Sequence, residues 1–140
     1  MLGFVRGPII SRSGSIGRRH LGNLRSLGIE ELFAFDTLEE RRRAANQEYG
    51  AVTFSSLSDA LSDNPDVVFV TTPTSMHVPV ALEAADRGCH LFVEKPLSDS
   101  LDGVDRLLSM VKVNSLVTLT GCNMRFHPGI AKVKKLLNEG

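Results

Sequence analysis

Short apolar runs alternate with amphipathic stretches along the chain, and this alternation predicts strands and helices in turn. The apolar runs occupy residues 32–35, 67–70, 91–93 and 116–120, with a weaker candidate at 51–54. Continuous apolar runs, unlike strictly alternating ones, are typical of parallel strands that are covered on both faces. We therefore expect these runs to form strands in the interior of the molecule.

The stretches between the runs carry apolar residues at helical spacing. They predict helices over 16–27, 38–49, 56–63, 77–87, 99–113 and 129–138. Asp99 and Pro128 are expected to begin helices, and Gly28, Gly50, Gly88 and Gly140 to end them. Strands that alternate with helices predict βαβ units. Right-handed crossovers then give an α/β fold with a doubly wound parallel sheet, the Rossmann fold.

Length and composition limit the possible functions. The chain has 140 residues, which predicts a single domain spanning 1–140. A formal net charge of +0, the lack of tryptophan and a single tyrosine argue against a nucleic-acid partner. No apolar run approaches the roughly 20 residues of a membrane span, and no secretory signal is evident. We therefore expect a cytoplasmic protein with no membrane partner.

Cysteine and histidine residues suggest no metal or disulfide chemistry. Cys89 and Cys122 are too few for a disulfide framework, and each lies beside an apolar stretch, so we expect buried free thiols. His20 and His90 are expected to be structural or solvated. No cluster of histidine, cysteine and acidic residues has metal-ligand spacing, so no metal is expected.

A glycine-containing turn, Gly14-Ser15-Ile16-Gly17, opens the first predicted helix. Glycines at such a turn let backbone N–H groups approach a pyrophosphate at the positive end of the helix. Asp36 follows the next strand, about 20 residues on, where a carboxylate accepts hydrogen bonds from the ribose of adenosine. Because a carboxylate repels a 2′-phosphate, NAD is favoured over NADP, although a nearby arginine such as Arg41 is able to serve NADP.

The turn departs from the full G-x-G-x-x-G pattern. Arg12 stands where the first glycine would fall, and Pro8 lies in the segment expected to form the central strand. Proline removes a hydrogen-bond donor from a strand ladder. Either Ile9 and Ile10 are all that remains of that strand, or the turn carries an extra residue. On this motif alone, a simple turn and helix cap is an open alternative to a dinucleotide site.

Polar residues follow two of the predicted strands, where ligands bind in open α/β sheets. The segment 71–77 supplies threonine hydroxyls, a turn fixed by proline and an imidazole, that of His77, at a helix start. A binding role and a capped loop with His77 packed on the helix both fit this pattern. Asn123 and Arg125 follow the strand predicted at 116–120 and either reach a ligand or lie in a solvated loop.

The tripeptide Glu94-Lys95-Pro96 follows the strand predicted at 91–93. An unpaired buried ammonium group is costly, so Lys95 needs a carboxylate or a ligand. Glu94 is one candidate partner, in a purely structural ion pair. Alternatively, Lys95 points into a cleft toward a substrate hydroxyl or a cofactor ribose. The proline fixes the turn and permits a cis peptide bond.

Several motifs in a fixed order carry a family resemblance. They are Gly14-Ser15-Ile16-Gly17-Arg18-Arg19-His20, Asp36, Thr72-Pro73-Thr74-Ser75-Met76-His77, Glu94-Lys95-Pro96 and Arg125-Phe126-His127-Pro128. In this order they resemble the glucose–fructose oxidoreductase / inositol dehydrogenase family (Gfo/Idh/MocA). The resemblance implies an N-terminal NAD-binding Rossmann domain in an enzyme that transfers hydride between NAD(P) and a hydroxyl of a sugar, nucleotide sugar or cyclitol.

The resemblance also implies roles for individual residues. The implied cofactor-binding residues are Gly14, Ser15, Ile16, Gly17, Asp36, Thr71, Thr72, Pro73, His77, Glu94, Lys95 and Arg125. Among them, Asp36 is implied to hold the adenosine ribose and Glu94 to contact the nicotinamide ribose. Lys95 is implied to lie between cofactor and substrate as the catalytic or orienting group.

The family's second domain carries its usual Asp and His of the acid–base pair, and we expect that domain to be absent from this chain. The isolated chain is therefore expected to be inactive. An apolar patch near the ends of the last strands, and with it a homo-oligomer, is also expected. Two alternatives stay open: a non-catalytic Rossmann nucleotide-binding or interaction module, and an S-adenosylmethionine-dependent methyltransferase, in which Glu94-Lys95-Pro96 has no place.

Overall fold

Six parallel strands form a single sheet whose carboxyl ends lie along one edge. The computed structural model of the protein describes residues 7–139. The strands are β1 (Ile9–Ser11), β2 (Phe33–Phe35), β3 (Val52–Phe54), β4 (Val67–Val70), β5 (His90–Val93) and β6 (Thr118–Thr120). Their order across the sheet is β3-β2-β1-β4-β5-β6. The chain starts at the centre, builds outward to β3 and crosses back to β4, which confirms the predicted doubly wound Rossmann fold.

Helices alternate with the strands. They are α1 (Ser15–Ser26), α2 (Glu39–Tyr49), α3 (Leu57–Ser62), α4 (His77–Asp86), α5 (Val104–Val113) and α6 (Pro128–Glu139). The residues predicted to end helices, Gly28, Gly50 and Gly88, have φ angles of 84°, 63° and 78°, a left-handed backbone that glycine adopts without strain. Pro128 begins α6, as predicted. Gly140 lies outside the described residues.

The fifth helix begins later than the sequence predicts. Asp99 does not begin it, because the chain first makes turns in which the hydroxyls of Ser98 and Ser100 accept hydrogen bonds from backbone N–H groups two residues on, each at 3.2 Å. Side chains that bond nearby backbone groups in this way compete with a helix. Gly103, with φ 76°, then precedes Val104, the first helical residue.

The central strand β1 accommodates the proline that precedes it. Ile9 pairs with Phe33 of β2 on one side and with Val68 of β4 on the other. Pro8 lies one position before the ladder, where its carbonyl accepts a hydrogen bond from the Phe33 N–H at 3.1 Å and no N–H is needed. Of the two alternatives that the sequence left open, a strand reduced to Ile9 and Ile10 is close to the structure, in which Ser11 completes the strand.

The strands bury side chains in two cores, one on each face of the sheet. One core contains Ile10 and Ala34 together with Leu21 of α1 and Ala45 of α2. The other core contains Ile9, Phe33, Val68, Val70, Leu91 and Val93, covered by residues of α3, α4 and α5. Because successive side chains of a strand point to opposite faces, neighbouring residues of β1 and β2 serve different cores.

The last strand is less covered than its apolar run predicts. Val117 is 67% and Leu119 57% exposed, so the expectation of a strand covered on both faces is wrong for β6. As an edge strand, β6 pairs only with β5. Helix α6 contacts the turn before it, and all of its described residues are exposed. Exposed apolar side chains therefore lie at and beside β6, where the sequence predicts an apolar patch.

Candidate functional site

A cavity of about 690 Å³ opens at the carboxyl ends of the strands. Its volume lies within the range of small-molecule sites. The lining residues are Ile16, Arg19, His20, Asn23, Thr71, Thr72, Pro73, Thr74, His77, Phe92, Glu94, Lys95, Leu119, Thr120, Gly121, Cys122, Asn123, Arg125 and Phe126. Residues of the loops 71–77, 94–96 and 123–126 thus line one cavity together with residues of α1.

A second cavity of about 350 Å³ lies at the start of α1. It is lined by Ser13, Gly14, Ser15, Arg18, Glu40, Arg41 and Ala44. Gly14 and Ser15 therefore line this smaller cavity, whereas Ile16 lines the larger one. The glycine turn and the first turn of α1 separate the two cavities.

The glycines of the turn differ in the space around them. A Cβ at Gly17 would lie 2.1 Å from the carbonyl oxygen of Arg12, so close packing of α1 on the end of β1 requires glycine there. A Cβ at Gly14 would meet only Arg41 Nη1, at 3.9 Å, so it would project into open space beside the smaller cavity. The missing side chain of Gly14 leaves room for a ligand to approach the backbone.

Asp36 lies directly beneath the turn. Its carboxylate is fully buried. It accepts hydrogen bonds from the N–H groups of Ser13 and Leu38, both at 2.9 Å, and its Oδ2 lies 3.6 Å from Arg41 Nη1. The carboxylate links the end of β2 to the glycine turn by hydrogen bonds. It also places a negative charge close to the smaller cavity, although Asp36 does not line that cavity.

The loop after β4 is joined to both neighbouring strand ends. The hydroxyl of Thr71 donates to the carbonyls of Ser11 at 2.6 Å and Arg12 at 2.9 Å. The two ring nitrogens of the buried His77 each lie 2.8 Å from a carbonyl oxygen, one of Pro96 and one of Thr72. His77 therefore lines the cavity and also ties two of its loops together.

Two buried hydroxyl groups at the cavity walls have no hydrogen-bond partner within the described residues. They are Ser13 Oγ beside the smaller cavity and Thr72 Oγ1 beside the larger one. A buried polar group without a partner is costly and calls for a ligand or water. Together with the open backbone at Gly14, these groups fit a polar, extended ligand such as a dinucleotide.

The side chains of Glu94 and Lys95 do not pair with each other. Glu94 Oε1 lies 2.8 Å from His20 Nε2, and Glu94 Oε2 accepts a hydrogen bond from the backbone N–H of Lys95 at 3.3 Å. The Lys95 side chain is exposed and forms no ion pair with any residue among 7–139. The structural Glu94–Lys95 ion pair considered from the sequence is therefore not formed. The peptide bond between Lys95 and Pro96 is cis.

His20 is one of the cavity residues that reasoning from the sequence missed. It lies on α1 four residues after Ile16, so the two side chains share a face of the helix. That spacing was the available signal, because Ile16 belongs to the glycine turn. His90 does not line the cavity, and its Nδ1 accepts a hydrogen bond from the Val117 N–H at 3.2 Å.

The two cysteines have different surroundings. Cys89 is a buried free thiol, as predicted, and it donates to the carbonyl of Pro65 at 3.2 Å. Burial raises its pKa to about 11. Cys122 is exposed and lines the larger cavity, so the prediction of a buried thiol is wrong there. It follows Gly121 at the end of β6, which no helix of residues 7–139 covers.

The described part of the chain offers no metal centre and no membrane helix. Residues 7–139 contain no group of three or more histidine, cysteine or acidic side chains arranged to hold a metal ion. Within the same residues, no helix combines the length and the apolar character needed to cross a bilayer.

Comparison with known proteins gives a consistent family signal. The family model described as "Oxidoreductase family, NAD-binding Rossmann fold" matches residues 12–121. The chain is 32% identical over 130 residues to the myo-inositol 2-dehydrogenase of Thermotoga maritima, covering 91% of this chain and 39% of that protein. It is 34% identical over 128 residues to the UDP-N-acetylglucosamine 3-dehydrogenase of Acidithiobacillus ferrooxidans, covering 89% of this chain and 41% of that protein.

Solved structures agree with the sequence relatives. The WlbA dehydrogenase from Bordetella pertussis, in complex with NADH and UDP-GlcNAcA, superposes with a TM-score of 0.87 at 28% identity, covering 100% of this chain and 42% of that chain. The myo-inositol 2-dehydrogenase from Lactobacillus plantarum gives a TM-score of 0.88 at 25% identity, covering 96% and 41%. The chain thus spans less than half the length of these relatives.

Proposed function

The chain belongs to the Gfo/Idh/MocA oxidoreductase family, and we propose that it is the NAD-binding part of a dehydrogenase acting on a sugar, nucleotide sugar or cyclitol. The observation that carries this proposal is the arrangement of the two cavities. They lie on either side of the first turn of α1, and residues 14–17, 71–77 and 94–96 supply much of their walls.

The dinucleotide crosses the turn at Gly14. A pyrophosphate there meets the positive end of α1 and the open backbone of Gly14. The adenosine half then occupies the smaller cavity above Asp36, and the nicotinamide half occupies the larger one beside Glu94. The unpartnered hydroxyls of Ser13 and Thr72 lie one at each cavity and support this placement.

The negative charge of Asp36 favours NAD over NADP. A 2′-phosphate in the smaller cavity would lie near this buried carboxylate, and like charges repel. Arg41, 3.6 Å from Asp36 Oδ2, offsets part of that repulsion. The preference for NAD therefore rests on how the charges of one carboxylate and one guanidinium balance.

Lys95 acts at the substrate side of the larger cavity. Nicotinamide supplies the hydride chemistry, and the protein supplies position and charge. An exposed ammonium with no ion pair among the described residues is free to stabilise negative charge that develops on a substrate oxygen. The 140 residues span less than half the length of the relatives they match, and the role proposed for this part is to bind the cofactor.

Calorimetric titration of the chain with NADH tests this proposal. We expect saturable binding that Gly14→Ala weakens about tenfold or more, since a Cβ would hold the pyrophosphate away from the backbone. The matched control is Gly22→Ala on the same helix, where a Cβ would make an ordinary contact of 3.5 Å with Tyr49. If the wild-type chain takes up neither NADH nor NAD, the non-catalytic interaction module is the better description.

A further inference from the structure

The imidazole of His20 holds the Glu94 carboxylate at the wall of the larger cavity. The two groups are 2.8 Å apart, and their side chains are only 15% and 19% exposed. A carboxylate accepts hydrogen bonds and donates none, so the Nε2–H of His20 is the donor. Hydrogen bonds to a charged, partly desolvated acceptor are stronger than neutral ones.

We propose that His20 is a positioning residue for the nicotinamide half of the bound dinucleotide. It acts through Glu94 by fixing the direction of the carboxylate. The proposal rests on the proposed function, because it assigns the larger cavity to the nicotinamide ribose. It goes beyond that function by naming the residue that orients Glu94 and by predicting which half of the cofactor depends on it.

The sheet fixes the plane of the imidazole. Phe69 and Phe92 are register partners on β4 and β5, and their rings stack with centroids 4.9 Å apart. The His20 ring packs against both, edge-on to Phe92 at 5.0 Å and tilted to Phe69 at 5.4 Å. An imidazole held by two rings loses little further freedom when it binds Glu94, so its hydrogen bond has a fixed direction.

Glu94 has few other ways to be held. Its second oxygen accepts a 3.3 Å hydrogen bond from the backbone N–H of Lys95. A Cβ at Gly121 would lie 3.2 Å from the carboxylate, so the end of β6 limits its movement on one side. Among residues 7–139, His20 is the only side chain that forms a hydrogen bond with this carboxylate. Without His20, the Oε1 atom loses its donor and the carboxylate is free to turn.

The adenosine half does not depend on this pair. None of the residues that line the smaller cavity is His20, Glu94 or a ring partner of His20. A defect at His20 should therefore affect ligands that reach the larger cavity and spare ligands that end at the pyrophosphate. A general loss of structure would affect both kinds of ligand equally.

The test compares NADH with ADP, which ends at the pyrophosphate and lacks both the nicotinamide and its ribose, by calorimetry on the 140-residue chain. We expect His20→Leu to weaken NADH binding about tenfold and to leave ADP binding within about twofold of wild type. His20→Gln presents an N–H at a similar reach and should restore NADH affinity to within about threefold of wild type. His90→Gln is the matched control outside the cavity and should alter neither ligand.

The outcomes separate the two proposals. Equal weakening of NADH and ADP binding by His20→Leu, or no weakening of NADH binding, overturns the positioning role. Failure of His20→Gln to exceed His20→Leu in NADH affinity also overturns it. If His20→Leu does not fold, His20→Asn replaces it in the test, because the shorter asparagine side chain does not reach Glu94 as the glutamine side chain does. Equal NADH affinity of His20→Asn and His20→Gln then overturns the positioning role. A wild-type chain that binds ADP but not NADH overturns the positioning role, whereas one that binds neither overturns the proposed function.

Discussion

The carbonyl oxygen of Arg12 lies 2.1 Å from the position that a Cβ of Gly17 would take. The same carbonyl accepts a hydrogen bond from the hydroxyl of Thr71 at 2.9 Å. One backbone group thus joins the end of β1, the first turn of α1 and the loop after β4. Arg12 presents it with a φ of 76°, a left-handed conformation in a residue that is not glycine.

Relief of this backbone conformation should stabilise the fold. A non-glycine residue in the left-handed region costs about 1 kcal/mol, so Arg12→Gly should have a free energy of unfolding about 1 kcal/mol above that of Arg12→Ala. Both variants remove the guanidinium, so their difference reports the backbone alone. Urea unfolding followed by circular dichroism measures it. Equal stability of the two variants would show that the φ of Arg12 carries no cost.

The charge balance at Asp36 predicts cofactor preference. We expect the wild-type chain to bind NAD at least about tenfold more tightly than NADP, because the buried carboxylate repels a 2′-phosphate. Arg41→Ala should weaken the binding of NADP more than that of NAD, since Arg41 is the cation beside Asp36. Arg43→Ala is the control on the same helix, where Arg43 pairs with Glu39 at the surface. Calorimetry measures the affinity of each variant for both cofactors. A wild-type preference for NADP would contradict the prediction.

The buried thiol of Cys89 predicts a loss of stability in alkaline solution. Its pKa rises from 9.0 to about 11 because burial penalises the thiolate. Between these values the unfolded chain releases the proton while the folded chain keeps it, so stability falls as pH rises from about 9 to 11. The free energy of unfolding of Cys89→Ala should fall less steeply over the same pH range. Unfolding by urea across this range, in a Cys122→Ser background, measures the difference, and parallel curves would refute the prediction.

The exposed apolar surface near β6 predicts self-association. Leu119 is 57%, Phe126 80% and Leu137 78% exposed, and large exposed apolar side chains that form a patch mark an interaction site. We expect a concentration-dependent dimer or larger assembly in sedimentation velocity. Leu137→Glu should shift it toward the monomer. Val113→Glu introduces the same charge at an equally exposed residue of α5 and should leave the assembly unchanged. A wild-type chain that remains monomeric at all concentrations would rule the assembly out.

The helices and strands of this protein were predictable because each one depends mainly on residues that are close together in the sequence. Apolar runs fixed five strands, and the glycines at 28, 50 and 88 marked helix ends because only a left-handed backbone fits there. Asp99 failed as a helix start because serine hydroxyls nearby satisfy the backbone in another way. The ordered motifs further identified the family, since their combination is far more specific than any one of them.

The sequence by itself determined the type of fold, the family and loops that line the larger cavity. Tertiary structure decided which partner each polar side chain takes, because hydrogen bonds across strands join residues far apart in the chain. Glu94 binds His20, 74 positions away, rather than the adjacent Lys95 side chain. Likewise, exposure of Cys122 depends on whether a helix covers β6, and that coverage is a property of the assembled sheet rather than of any short segment.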